Sequence, residues 1–268
     1  MHTATTPTEP SPFPIELDAP ESWPAAILAE IAPLLPAILK EKQADLEYAL
    51  SGDRWHKPSP PCHSTDAAHG TIRREMANRW ITVFHATRLL DFDSVRREGL
   101  HPLNIASQIS AMKKGVVASG RFHTEQEIDR LLANADLSLL EGREGQVWAT
   151  PLQRLLHDGG CDVFFNHWGG EAIQRLAHMA SGNLEMAIRA LGMPAVVTFA
   201  MPASGCCAFS DLRLGPTMVG LMLERAGLIE RNLECWDVLV RRSIPPEWIR
   251  SVLPHDHLSS ASLSTQSS

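Results

Sequence analysis

Ile81-Thr82-Val83-Phe84-His85-Ala86-Thr87 is an apolar, β-branched run that ends by presenting a histidine and a hydroxyl. Such residues suit a pleated, half-buried surface, so the run reads as a strand. Asp91 to Arg97 then reads as a short amphipathic helix. Asp91 or Asp93 is placed to cap its start, and Gly99, in Glu98-Gly99-Leu100, to end it. A strand that carries His-x-Thr into a helix is an economical way to hold the ribose and amide of a bound nucleotide.

Composition sets the limits around this strand. A chain of 268 residues is long enough to bury about three quarters of its unfolded surface, as one core or as one core with a small appendage. The net charge of −7 and pI near 5.9 exclude a broad positive surface of the kind that adheres to nucleic acid. The five cysteines follow no regular framework, and the chain does not start with a basic segment and an apolar core. Both features predict a cytoplasmic protein, while the Thr/Pro/Ser-rich start leaves secretion as a bacterial effector open. No apolar run approaches the roughly 20 residues of a spanning helix, so no membrane partner is expected.

Residues 1–22 carry few large apolar groups and are expected to form a flexible tail. Over 23–56, Ile27, Ile31, Leu34, Leu35, Ile38 and Leu46 recur at helical spacing, broken near Pro33 and Pro36, which predicts a helical appendage in two pieces. The Pro-rich stretch beginning at Lys57 makes 57–78 a linker or loop. Residues 79–256 are then the main domain, and 257–268 a Ser-rich tail. Within the domain, Lys113 to Arg121 reads as a basic loop, and Thr124 with Glu127 as a capping box opening a helix. Strands are expected at 145–150, 195–201 and 234–240, and helices at 171–180 and 185–191. Cys161 to Phe165 reads as a buried strand leading into the turn His167-Trp168-Gly169-Gly170, although Phe164, Phe165 and Trp168 would also suit a pocket wall with a glycine flap.

Three strand-borne elements stand out: His85 with Thr87, Trp148 in Val-Trp-Ala-Thr, and Glu234 opening a late strand. Over roughly residues 79–254 they resemble the ADP-ribosyltransferase superfamily of the diphtheria-toxin and poly(ADP-ribose) polymerase type. The resemblance implies an α+β fold with a split antiparallel β-sheet core, here with the N-terminal helical appendage added. It also implies NAD as substrate, held by His85, Ala86, Thr87 and Trp148. His85 falls on the ribose-gripping histidine, and Glu234 on the catalytic carboxylate that stabilises an oxocarbenium-like transition state. Ala86 stands where relatives carry Gly, and Trp148 where they carry Tyr. From its own chemistry, Arg88 is suited to pair with a pyrophosphate.

Each of these residues also has a structural reading. His85 suits a strand end bonded to backbone, Trp148 a core position and Glu234 a solvated strand edge. Cys62, His63 and His69 lack a fourth ligand nearby, so no metal is expected. The absence of Gly-x-Ser-x-Gly, of a phosphate-binding loop and of Gly-x-Gly-x-x-Gly disfavours the hydrolase, P-loop and Rossmann classes. The expected activity is NAD-dependent ADP-ribosyl transfer to an acceptor, most naturally a protein. Ala86 and Trp148 motivate the alternative of a catalytically inactive ligand-binding or protein-interaction module on the same fold. NAD-dependent RNA 2′-phosphotransfer ranks below both, because it needs several arginines about the phosphate and only Arg88 is in place.

Overall fold

The helical spacing that starts at Ile27 forms α1 (Ala25–Ile31) and α2 (Leu35–Leu50), separated by a 3-10 turn at Ala32–Leu34. Pro33 and Pro36 each occupy a first-turn position, where the missing N–H is not needed, so they set the break at little cost. The computed structural model describes residues 11–51, 60–133, 135, 142–157, 161–180, 182–203, 213–230 and 237–255. The chain divides into two compact units, Met1–Ile81 with Met201–Trp236, and Thr82–Ala200 with Asp237–Ser268.

The expected linker over 57–78 is instead largely helical, as α3 (His63–Met76). Ala68, Thr71, Ile72 and Met76 bury one face of it, but Gly70 and the polar composition conceal that face from sequence reading. No side chain of its own caps α3. Glu41 of α2 does so, accepting hydrogen bonds from the Ser64 amide (2.8 Å), the Thr65 amide (2.9 Å) and the Thr65 hydroxyl (2.7 Å). α3 packs on α1, on α2 and on a helix from much later in the chain, Leu214–Arg225. The helical appendage is therefore part of a larger unit, and the expected domain 79–256 is not contiguous, since 201–236 belongs with the first unit. Part of the expected tail is also built in. Ile15 bridges Ile81, its amide donating to the Trp80 carbonyl at 2.7 Å, and both Ile15 and Leu17 are buried.

The second unit holds the strands. β1 (Trp80–Leu89), β3 (Met193–Pro202) and β5 (Ile249–Pro254) form a sheet in the order β1-β3-β5. β3 and β5 are antiparallel, with an irregularity between Thr198 and Phe199. β2 (Val147–Ala149) and β4 (Val238–Val240) form a separate antiparallel pair, with Trp148 opposite Leu239. The arrangement is α+β, with its strands split between two sheets. β5 falls inside the expected domain, in a stretch where no strand is expected; only Val252 of it is fully buried.

Between the strands lie α4 (Phe92–Glu98), α5 (Ile105–Ala118), α6 (Glu125–Leu132), α7 (Asp162–Asn166), α8 (Gly170–Ala180) and α9 (Gly182–Arg189); Leu214–Arg225 is α10. Asp91 caps α4, accepting from the Asp93 amide at 2.9 Å. Thr124 caps α6, accepting from the Glu127 amide, while Glu127 reaches back to the His123 amide rather than to Thr124. Most of the expected loop over Lys113–Arg121 belongs to α5, because Met112 and Val116 continue a buried stripe while Lys113 pairs outward with Asp129. Cys161 to Phe165, expected as a strand, enters helix α7. Gly99 has φ of 80°, and a Cβ there would fall 1.9 Å from the Ile244 carbonyl oxygen. Only glycine fits where Leu100 and Ile244 exchange backbone bonds of 2.9 and 2.8 Å.

The Glu41 cap yields the first prediction. Burial would push this carboxyl up, but the bonds from Ser64 and Thr65 outweigh it and hold its pKa at about 2, against an ordinary 4.5. The folded chain therefore binds this proton more weakly than the unfolded one. The contribution is complete above pH 4.5 and disappears as the pH falls toward 2, reduced throughout by solvent screening. Glu41→Ala should lower the unfolding free energy by about 1 kcal/mol at pH 7, as other N-cap losses do. Denaturant melts should show that difference shrinking below pH 4; a constant difference would contradict the cap.

Candidate functional site

Alternation along β1 separates its residues into two sets. Phe84 and Ala86 pack with Leu156, Phe165 and Val196, so His85 and Thr87 project from the opposite face. Phe84 and Thr150 exchange two backbone hydrogen bonds, each 2.8 Å, which lays the end of β2 beside β1. This pairing brings the Trp148 carbonyl oxygen 2.6 Å from His85 Nδ1. A carbonyl can only accept, so Nδ1 donates and Nε2 keeps its lone pair. Burial lowers the His85 pKa, the carbonyl opposing it, and the ring is neutral at pH 7.

His85, Thr87, Trp148, Phe164, Trp168 and Gln108 are among the residues around a cavity of about 570 Å³. That volume lies within the range of small-ligand sites. Trp148 is half-buried, its Nε1 donating to Gln146 Oε1 at 3.0 Å. The guanidinium carbon of Arg143 stands 3.7 Å above the centroid of its ring. Arg143 also pairs with Glu171 at the start of α8, and Glu171 takes a second partner in Arg175. Asp237 immediately precedes β4. Because Trp148 and Leu239 are directly paired, Asp237, two residues before Leu239, extends on the Trp148 side of the ladder. Partial burial raises its pKa; nearby Arg143 opposes the rise and Glu171 adds to it.

His85, Ala86, Thr87, Arg88 and Trp148, five of the six expected site residues, border this one cavity. Glu234 lies outside the described residues. Ala86 borders the cavity and also belongs to the apolar cluster behind β1. Arg88 is engaged elsewhere: Nε, Nη1 and Nη2 donate to the carbonyls of Leu191, Phe165 and Gly192, each at 2.7 Å. In place of a loose flap, Gly169 makes a tight turn with φ of 78°, where a Cβ would meet Ile173 Cγ1 at 2.4 Å. Sequence reading missed Arg143, Glu171 and Asp237. Only Asp237 left a signal, as the polar residue in step with Leu239 before an alternating Val-Leu-Val run.

Among the described residues, no group of three or more His, Cys, Asp or Glu is placed to hold a metal ion. No helix among them is long and apolar enough to cross a membrane. Comparison of the chain with protein-family models, curated proteins and solved structures gives no match.

The Arg88 geometry predicts a structural phenotype. Lysine has one point charge where arginine has a planar fork, so Arg88→Lys should leave at least one of the three carbonyls unpaired. A loss of about 2 kcal/mol in thermal or denaturant unfolding is expected, as for other hydrogen bonds to charged groups. An unchanged midpoint would refute this role.

Proposed function

We propose that the chain binds NAD in this cavity and transfers its ADP-ribosyl group to a nucleophilic acceptor. The observation that carries the reading is that His85, Thr87 and Trp148 border one cavity, with the His85 tautomer fixed by the Trp148 carbonyl. With Nδ1 committed, Nε2 is an acceptor for a ribose hydroxyl, the role that the resemblance to ADP-ribosyltransferases implies. Since Ala86 belongs to the apolar cluster behind the strand, the departure from Gly leaves the cavity side of that backbone open to an amide.

In the transfer, the bond between ribose C1′ and the nicotinamide nitrogen breaks, its electron pair neutralises the ring, and nicotinamide leaves. The acceptor's lone pair bonds to C1′ and its proton passes to a carboxylate. A carboxylate near the ribose also stabilises positive charge that appears only in the transition state. Glu234 is the residue that the resemblance assigns to this role, and Asp237 is the carboxylate described beside Trp148. Burial makes Asp237 a better base than an ordinary aspartate.

A second reading, a ligand-binding module without turnover, is favoured by one observation: Arg143 covers the Trp148 ring. RNA 2′-phosphotransfer gains no support, since Arg88 is bonded to three carbonyls.

Isothermal titration with NAD and an assay of released nicotinamide test the proposal together. His85→Ala should weaken NAD binding. Loss of the working carboxylate, in Asp237→Asn or Glu234→Gln, should cut turnover by about 10²–10⁴-fold while binding persists. NAD affinity should stay level from pH 8 to pH 6.5 and fall only below the ordinary histidine value, because burial keeps His85 neutral. Binding without release would support the module, and neither binding nor release would sink both readings.

A further inference from the structure

The flat face of Trp148, which an aromatic ligand would use, already carries a flat cation. Arg143 lies 3.7 Å above it, well inside the distance at which cation–π attraction acts. The same guanidinium pairs with Glu171, and the Asp237 carboxyl feels both charges. An indole face flanked by two carboxylates is a site for one planar, weakly hydrated positive charge. We propose that Trp148, Glu171 and Asp237 form a subsite for a planar, delocalised cation, and that Arg143 is its internal occupant, displaced when such a ligand binds.

The exchange is feasible on the geometry. Arg143 and Glu171 are each about one quarter exposed, so the pair is reachable from solvent. Glu171 keeps Arg175 as a partner when Arg143 leaves, and the incoming cation takes the place of Arg143 beside Asp237. One cation replaces another over the ring, and the charge of the site is conserved. Arg143 therefore weakens the apparent affinity of its competitor and makes the subsite selective for charge. A neutral ring of the same shape meets the occupant without the means to replace it.

Two sources supply this chemistry. One is the positively charged pyridinium of oxidised nicotinamide nucleotides, which rests on the NAD reading. The other is the guanidinium of an arginine on an incoming polypeptide. The subsite itself depends on neither.

Calorimetric titration of the full chain with 1-methylnicotinamide, with methylguanidinium and with neutral nicotinamide tests the proposal. Arg143→Ala should bind one or both cations at least tenfold more tightly than the parent chain. Adding Trp148→Ala should abolish that gain, and adding Glu171→Gln should reduce it. Neutral nicotinamide, which gains the open ring but no attraction to the two carboxylates, should gain less than either cation. The cation that gains more identifies the source. No gain for either cation on removing Arg143, or an equal gain for neutral nicotinamide, would overturn the proposal. If circular dichroism shows Arg143→Ala unfolded, Arg143→Gln gives the same readout with the side-chain length kept. A chain that binds these cations yet releases no nicotinamide from NAD would retain the subsite and lose the transferase.

Discussion

Two backbone hydrogen bonds between Phe84 and Thr150 fix how the second unit can be used. They join strands that otherwise belong to different sheets. Because strand residues alternate, this single register decides that Phe84 and Ala86 face the apolar cluster while His85 and Thr87 face the cavity. It also presents the Trp148 carbonyl to His85. A slip of one residue would exchange the two faces of β1, burying a histidine and exposing a phenylalanine. The apolar packing of Phe84 thus enforces the orientation of His85, and the site derives its precision from the core behind it.

Charge at this site is balanced by neighbours rather than left open. Arg88 spans three carbonyls and holds the end of α7 and the turn between α9 and β3 toward β1, which is an architectural use of a cation. Arg143 is matched by Glu171 and lies against Trp148. Two arginines border the cavity with different commitments. Arg88 is bound by backbone of α7 and of the turn before β3, whereas Arg143 is bound by side chains, one of which has a substitute partner. The difference in exchange cost follows from that, and it makes Arg143 the arginine able to respond to a ligand.

Sequence reading succeeded where the determining contacts are local. The β1 strand, the Asp91 and Thr124 caps and the Gly99 stop are all written within a few residues of where they act. It failed where the partner is remote. The start of α3 is capped by Glu41, 23 residues earlier, so no capping signal precedes His63. Ile15 finds its strand partner at Ile81, and α3 finds α10 far downstream, so neither the tail nor the linker could be read as ordered from composition. The site divides in the same way. His85 was legible from its strand, but the contact between Arg143 and Trp148 depends on the path through Gly145, whose φ is 73°, and on the position of α8.

The carboxylate shows how a short pattern can be weighed. Glu234 stands out because it opens a late strand and falls where the resemblance places the catalytic carboxylate, an argument about order along the chain. Asp237 is singled out by register: Trp148 opposes Leu239, Ala149 opposes Val238, and alternation then sets Asp237 on the side of the indole. Order says which residue comes first, whereas register says which residue shares a face with the ring. A carboxylate acts on a ligand through proximity, so register is the stronger criterion of the two. Among the described residues, Asp237 meets that criterion, in an electrostatic setting shaped by Arg143 and Glu171.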